Sequence, residues 1–232
     1  MLLGAVVLSL HNVLVRVIFQ TSSFLGSDPV GGWLVPGWPA SLLLFQMRAV
    51  VAMLFMIISA PWLNPTVIPE LRQFFTQAPS CLQRQVLASG INLFLGLSLL
   101  YLALAYLPAG IAITTFFMFP AVTILLAWLI LKERPRNLQL LLGGMILGGV
   151  LLTTPLQNDS SGDWIVGSGA AILASGIYAF YGLQAQQSLA KLHPVPFSLI
   201  LFVISAILSS LVRLFFPVQV DPEVWPILGL CS

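Results

Sequence analysis

The chain has 232 residues, of which 59% are hydrophobic and only 7% are charged, and its formal net charge is +2. A soluble domain carries about 25% charged residues, so this composition excludes a water-facing protein and makes lipid the expected solvent. The basic residues form no tract, which argues against nucleic-acid binding. The cysteines, Cys81 and Cys231, lie too far apart in sequence to indicate a metal site or a disulfide framework, and no cofactor is expected.

Seven apolar stretches are long enough to cross a bilayer as helices, which takes about 20 mostly apolar residues. They predict an all-α polytopic transmembrane helical bundle. In chain order the predicted spans are about 2–20, 40–60, 86–106, 109–131, 138–155, 165–187 and 196–216. The start of an eighth span appears at Trp225, but the chain ends at Ser232, which indicates a truncated product or a fragment of a longer protein.

The basic residues outside the spans give the orientation, because cytoplasmic loops carry an excess of Lys and Arg. With a cytoplasmic N-terminus, all six loop residues of this kind lie inside and none lies outside. They are Arg72, Arg84, Lys132, Arg134, Arg136 and Lys191. The loop charges therefore predict an integral membrane protein with its N-terminus in the cytoplasm. The expected membrane is the bacterial inner membrane.

Two sequence patterns recur five spans apart. Residues 41–45 (SLLLF) in the second span resemble residues 198–202 (SLILF) in the seventh, and residues 4–8 (GAVVL) resemble residues 169–173 (GAAIL). Five is an odd number, so the second copy enters the membrane in the opposite direction. Such inverted repeats are typical of secondary transporters, whose substrate site lies between the two halves.

Arg48 is the main candidate for a substrate contact, because it lies near the middle of the second predicted span. Ionisable residues inside a membrane are costly and tend to mark functional sites. A guanidinium there can hold a carboxylate or phosphate group with two hydrogen bonds, which favours a small anionic or zwitterionic substrate. The structural alternative is an arginine that reaches the interface or binds backbone carbonyls.

Other polar residues of the spans are further candidates for the wall of a substrate cavity. Those of the first span lie on one helical face, as do those of the sixth span. The structural alternatives are hydrogen bonds between helices, close packing through small residues, or threonines that bond their own backbone. These candidates are Asn12, Arg16, Ser9, Tyr178, Ser175, Asn92 and Thr115.

Three residues have an expected structural role. Pro120 removes a backbone hydrogen bond inside the fourth span and should kink it. Gly144 and Gly148 form a pair of small residues that favours close helix contact in the fifth span.

No Asp or Glu lies in any predicted span, so no paired carboxylates or other catalytic residues are expected.

A set of short patterns in the first half of the chain resembles a known family. Residues 101–110 (YLALAYLPAG) are followed by 119–120 (FP), 127–128 (AW) and 132–135 (KERP). This order resembles the EamA-type transporters of the drug/metabolite transporter superfamily. In that family the third helix ends in a tight turn, the fourth carries a proline, and a pair like Glu133 and Arg134 closes the fourth helix at the cytoplasm.

The resemblance implies two inverted repeats of five helices around a central cavity, with residues 1–155 as the first repeat and residues 165–232 as part of the second. Arg48 is similar to the arginine common in the family's second helix. The implied function is secondary transport of a small metabolite or drug-like solute by alternating access. The alternatives are a truncated, non-transporting membrane protein or subunit and, less favoured because no catalytic constellation is visible, a membrane-embedded lipid enzyme. The expected partners are membrane lipid and a small-molecule substrate, and the formation of a homodimer is a further possibility.

Overall fold

The computed structural model describes residues 37–132, 134–153 and 162–216. The regular elements in these ranges are all helices, so the predicted all-α class is confirmed there. We number them α1 to α8 and describe α5 together with the π-helical turn that continues it. The helices are α1 (Trp38–Leu63), α2 (Val67–Gln77), α3 (Ser80–Tyr106), α4 (Ala109–Phe116), α5 (Phe119–Leu126) with its π-helical turn (Ala127–Leu131), α6 (Asn137–Thr153), α7 (Gly162–Leu189) and α8 (Pro194–Phe215).

Five stretches of helix are long and apolar enough to cross a membrane, which makes the chain an integral membrane protein. They are Trp38–Leu63, Ser80–Tyr106, Ala109–Ile130, Asp163–Leu189 and Pro194–Phe215. Each corresponds to a predicted span. The span predicted at 138–155 is the apolar helix α6, whose 17 residues lie at the lower limit for crossing a bilayer. The first predicted span (2–20) and the partial eighth one from Trp225 lie outside the described residues. The sequence predicted seven spans and part of an eighth, and the described residues contain five of them and α6.

The connection between α1 and α3 contains a helix that the sequence analysis missed. On α2, Val67 and Phe74 are buried, whereas Ile68 and Phe75 are 70% and 64% exposed. The two buried residues are seven apart and so share one helical face, which is the spacing of an amphipathic helix. At 11 residues α2 is too short to span the bilayer, and it connects two spans along one side of the bundle.

The longest packing seam of the bundle joins α3 to α7, which run antiparallel. Glycines allow the two backbones to approach closely. A Cβ atom at Gly96 would lie 3.3 Å from the Tyr178 backbone nitrogen, and one at Gly167 would lie 2.7 Å from Leu107 Cγ. Small residues at helix contacts are the usual device for close packing in membranes.

Helices α1 and α8 form a second antiparallel contact with a polar centre. The Gln46 amide donates to Ser210 Oγ at 2.9 Å and its oxygen accepts from the Arg213 guanidinium at 2.9 Å. These hydrogen bonds satisfy polar groups that lipid could not satisfy. The two helices contain the similar residues 41–45 and 198–202, and a contact between equivalent helices is compatible with the inverted repeat, which stays a prediction.

Pro120 lies where the fourth predicted span is divided into α4 and α5. It occupies the first turn of α5, a position that needs no intrahelical donor. At the break the Met118 N–H donates to the Thr115 carbonyl at 3.1 Å, a tighter turn than the α-helix. The α-helix is therefore interrupted near the middle of the span, and its last turn is π-helical before Lys132 adopts a φ of 56°.

The close contact predicted for Gly144 and Gly148 is not formed with any described residue. A Cβ atom at either position would meet no atom within 4 Å, whereas one at Gly143 would lie 3.7 Å from the Ala121 Cβ atom. The α6 residues that line the groove toward α5 are Gln139, Leu140, Gly143, Gly144 and Leu147. Gly144 is one residue, or about 100°, further round the helix than Gly143, so it borders the groove without touching α5.

A polar cluster connects the end of α1 to α2 and to the start of α8. Asn64 is 7% exposed and donates to both Glu70 carboxylate oxygens at 3.2 Å, and its amide nitrogen lies 3.4 Å from His193 Nδ1. Thr66 donates to Glu70 Oε1 at 2.6 Å. Hydrogen bonds from Thr66 and Asn64, together with the charge of His193, lower the pKa of Glu70 despite some desolvation. Asn64 thus fixes three elements on one side of the bundle.

Candidate functional site

Arg48 lies deep inside α1, where the sequence placed its main functional candidate. It is ten residues from Trp38, so about 15 Å of helix separates it from the nearer end. Its guanidinium donates to the Tyr101 hydroxyl on α3 at 3.2 Å. Tyr101 is only 1% exposed. The hydrogen bond therefore holds the guanidinium within the bundle, and the arginine does not reach an interface at this position.

Tyr101, the partner of Arg48, belongs to one hydrophobic cluster that contains aromatic rings from several helices. The Phe45 ring lies 6.0 Å from the Tyr101 ring, edge to face. On the side of α7, the Tyr178 ring lies 5.0 Å from Phe116 and 4.9 Å from Phe119.

The geometry allows Arg48 to bind an anion. A guanidinium has five N–H donors, and one of them is used by Tyr101. Among the described residues no carboxylate forms a salt bridge with Arg48, and the predicted spans contain no acidic residue. A carboxylate or phosphate bound here would gain charge-assisted hydrogen bonds in a water-poor environment, while the aromatic rings would cover its apolar part.

The break at Pro120 positions part of the aromatic wall. Phe116 is the last residue of α4 and Phe119 is the first of α5, so the two rings lie on either side of the break with their centroids 5.5 Å apart. Both contact Tyr178. Residues three apart lie on the same side of a helix, so both rings can face α7 across the break.

Other predicted cavity residues serve contacts between and within helices. Asn92 donates to Gln184 Oε1 on α7 at 2.8 Å, which fits the structural alternative of an interhelical hydrogen bond. Ser175 is fully buried, and its hydroxyl has no hydrogen-bond partner among the described residues. Thr115 is half-buried in the last turn of α4, where its carbonyl accepts the Met118 N–H at the break.

Some predicted residues are not brought to Arg48 by the described structure. Ser9, Asn12, Arg16 and Glu133 lie outside the described residues. Arg134 is exposed in the connection between the π-helical turn and α6, which is compatible with its expected role at the end of a helix.

Several polar residues of the bundle were missed by the sequence analysis. Tyr101, the partner of Arg48, was noted only as part of a family pattern. Gln46 joins Ser210 and Arg213 across the α1–α8 contact, and Gln85 donates to Gln187 across the α3–α7 seam. The available signal was the cost of amide side chains in lipid, which requires partners on neighbouring helices. The sequence identifies polar residues that need a partner but does not show which residue of another helix is that partner.

A metal centre has no support in the described part of the chain. No group of three or more His, Cys, Asp and Glu side chains there is close enough to hold an ion. The candidate site is therefore an arginine and aromatic side chains between membrane helices.

Comparison with known proteins adds three findings. The EamA-like transporter family matches residues 3–154. An uncharacterized transporter of Synechocystis sp. (strain ATCC 27184 / PCC 6803 / Kazusa) is 36% identical over 211 residues, which are 90% of this chain and 64% of that protein, so the chain spans about two thirds of that relative's length. A solved crystal structure with 19% identity has a TM-score of 0.54 over 95% of this chain and 71% of its own, which is a likeness of fold alone.

Proposed function

The chain belongs to the EamA-like transporter family, and we propose that the protein moves a small organic solute across the membrane as a secondary carrier. The proposed solute has an anionic or zwitterionic group that binds Arg48 and an apolar part that lies against the aromatic rings near Tyr178. The observation that carries this proposal is the guanidinium of Arg48 inside a spanning helix, hydrogen-bonded to buried Tyr101 and paired with no described carboxylate.

Alternating access is the proposed mechanism. The two antiparallel contacts, α3 with α7 and α1 with α8, each join the predicted first repeat to the predicted second. If the repeats rock against each other, these contacts are where the movement occurs, and Arg48 lies between them. The relation of Arg48 to both Tyr101 and Tyr178 would then change as the site opens to one side or the other.

The transport proposal is tested by uptake into lipid vesicles that contain the purified protein. We expect saturable uptake of at least one radiolabelled amino acid, organic acid or phosphorylated metabolite, above that of protein-free vesicles. Absence of uptake across these classes, with protein that remains folded by circular dichroism and monodisperse after extraction, would contradict the proposal. The membership of the family and the name of the relative make transport the function to test first.

The proposed orientation places the α2 side of the bundle in the cytoplasm, and Cys81 can test it. Cys81 is exposed in the first turn of α3. In a Cys231→Ser background we expect a membrane-impermeant thiol reagent to leave Cys81 unlabelled in intact cells and to label it in inverted vesicles. The matched control is Asp163→Cys in a Cys81→Ser, Cys231→Ser chain, because Asp163 is exposed in the first turn of α7. This site should be labelled in intact cells, and the reverse pattern would exclude the orientation.

A further inference from the structure

An open groove runs between α5 and α6 on the surface of the bundle. Its volume is about 440 Å³, and its walls are almost entirely apolar. One wall is α5 with the π-helical turn, and the other is α6. The main lining residues are Ala121, Leu125, Trp128, Gly143, Gly144 and Leu147. The groove does not include Arg48 or the aromatic rings around it, so it is separate from the proposed transport site.

The length of the groove corresponds to one leaflet of a bilayer. Its lining extends along the helix from Met118 to Trp128, which is ten residues or about 15 Å. Half of a hydrocarbon core of about 30 Å is the same length. Trp128 is 50% exposed at one end, and tryptophan is typical of the membrane–water interface. The groove therefore extends from mid-membrane to one interface.

The interfacial end of the groove opens at a basic connection. Pro135 and Gln139 line this end. Lys132, Arg134 and Arg136 are exposed, and none of them forms a salt bridge with a described residue. The segment 132–136 has three basic residues and one acidic residue, which gives a formal charge of +2.

The capping of α6 keeps part of this charge at the groove. Gln139 Oε1 accepts the Arg136 N–H at 2.8 Å, so Arg136 is fixed directly before the first turn of α6. The N-terminus of a helix adds partial positive charge at the same place. An apolar slot the length of one leaflet that ends at basic side chains without a described carboxylate partner is complementary to a lipid with a negative headgroup.

We propose that the groove between α5 and α6 binds an anionic phospholipid of the cytoplasmic leaflet. One acyl chain lies along Leu125, Gly143 and Leu147, and the phosphate contacts Arg134 and Arg136. Basic pockets between membrane helices at the cytoplasmic side are known to suit such headgroups. A second copy of the chain would cover the apolar walls but would leave the basic mouth without a counter-charge, so the lipid fits both features.

The purified protein in detergent is incubated with phosphatidylglycerol or with phosphatidylcholine of the same acyl chains. Native mass spectrometry then measures how much of each lipid stays bound after the detergent is removed. We expect the protein to retain phosphatidylglycerol in preference to phosphatidylcholine. Gly144→Leu places a side chain in the groove where a Cβ atom meets no described atom, and it should lower retention of phosphatidylglycerol several-fold. Gly149→Leu is the matched control, because Gly149 has the same open space, lies on the same helix and does not line the groove.

Loss of the headgroup contact is tested separately from filling the groove. Arg134→Gln with Arg136→Gln should reduce the preference for phosphatidylglycerol about 25-fold, since each basic side chain near an anionic surface contributes on the order of fivefold. Both residues are exposed, so this variant should fold even if Gly144→Leu does not. Arg72→Gln with Arg84→Gln removes two exposed charges elsewhere and should leave the preference unchanged.

Three results would overturn the proposal. Equal retention of the two lipids by the unaltered chain would exclude a headgroup site. Equal retention by Gly144→Leu and Gly149→Leu would exclude the groove. A dimer that carries no lipid and dissociates only in Gly144→Leu would show that a second copy of the chain occupies it.

Discussion

Arg48→Ala is expected to lower solute uptake by about tenfold to a hundredfold, the largest functional loss that any single change in the described part of the chain should cause. A hydrogen bond to a charged group contributes about 1.5 to 3 kcal/mol, and each 1.4 kcal/mol is a factor of ten. Arg48→Lys keeps the positive charge but loses the planar pair of donors, so its uptake should be intermediate. The measurement is the initial rate of uptake into vesicles with equal amounts of inserted protein.

Two control variants separate a substrate contact from a structural role. Arg72→Ala removes an exposed arginine on α2 and should leave uptake unchanged. Tyr101→Phe removes the acceptor that positions Arg48 and should lower uptake by about twofold to tenfold, the range for one ordinary hydrogen bond. If Arg48→Ala transports as well as the unaltered chain, Arg48 is structural and the site assignment is wrong.

Gly96→Leu is expected to destabilise the protein through the α3–α7 seam. A Cβ atom at this position would lie 3.3 Å from the Tyr178 backbone nitrogen and 3.5 Å from the Ala174 carbonyl oxygen, so the larger side chain must move the backbone of α7. Overpacking of this kind costs typically 1 to 3 kcal/mol. We expect the free energy of unfolding in detergent to fall by about that amount, measured by reversible denaturation in mixed micelles.

The comparison for Gly96→Leu is Gly149→Leu, which adds the same side chain within a membrane helix. Gly149 is exposed, and a Cβ atom there meets no described atom within 4 Å. Its unfolding free energy should change by less than about 0.5 kcal/mol, as surface substitutions usually do. Equal losses in the two variants would mean that the α3–α7 seam is not as tight as the distances indicate.

Much of the fold could be predicted because membrane helices follow from local composition. The apolar runs gave the five described spans to within a few residues, and the proline in the fourth span lies where that span divides. The helix α2 was missed because its 11 residues are too few and too polar to span a membrane, although Val67, Leu71 and Phe74 recur at the spacing of an amphipathic helix. The contact partner of Gly144 and Gly148 stays a prediction, since among the described residues it is Gly143 that lies against α5. A stripe of four glycines does not indicate which of them faces a neighbour.

The sequence predicts individual residues of the candidate site but not the contacts between them. The cost of a charge in lipid is a local property, and it was enough to single out Arg48. The pairing of Arg48 with Tyr101 is not local, because the residues are 53 positions apart and the contact depends on how α1 crosses α3. The same limit applies to Asn92, whose partner Gln184 lies 92 positions away across the α3–α7 seam.

The central claim is that the Arg48 guanidinium binds the negative group of the solute. The most direct measurement compares uptake of the identified solute with uptake of an uncharged analogue that lacks this group, for the unaltered chain and for Arg48→Gln. The account predicts that the unaltered chain prefers the charged solute and that Arg48→Gln loses most of this preference, because the discriminating donor is gone. An equal preference in both proteins would contradict it.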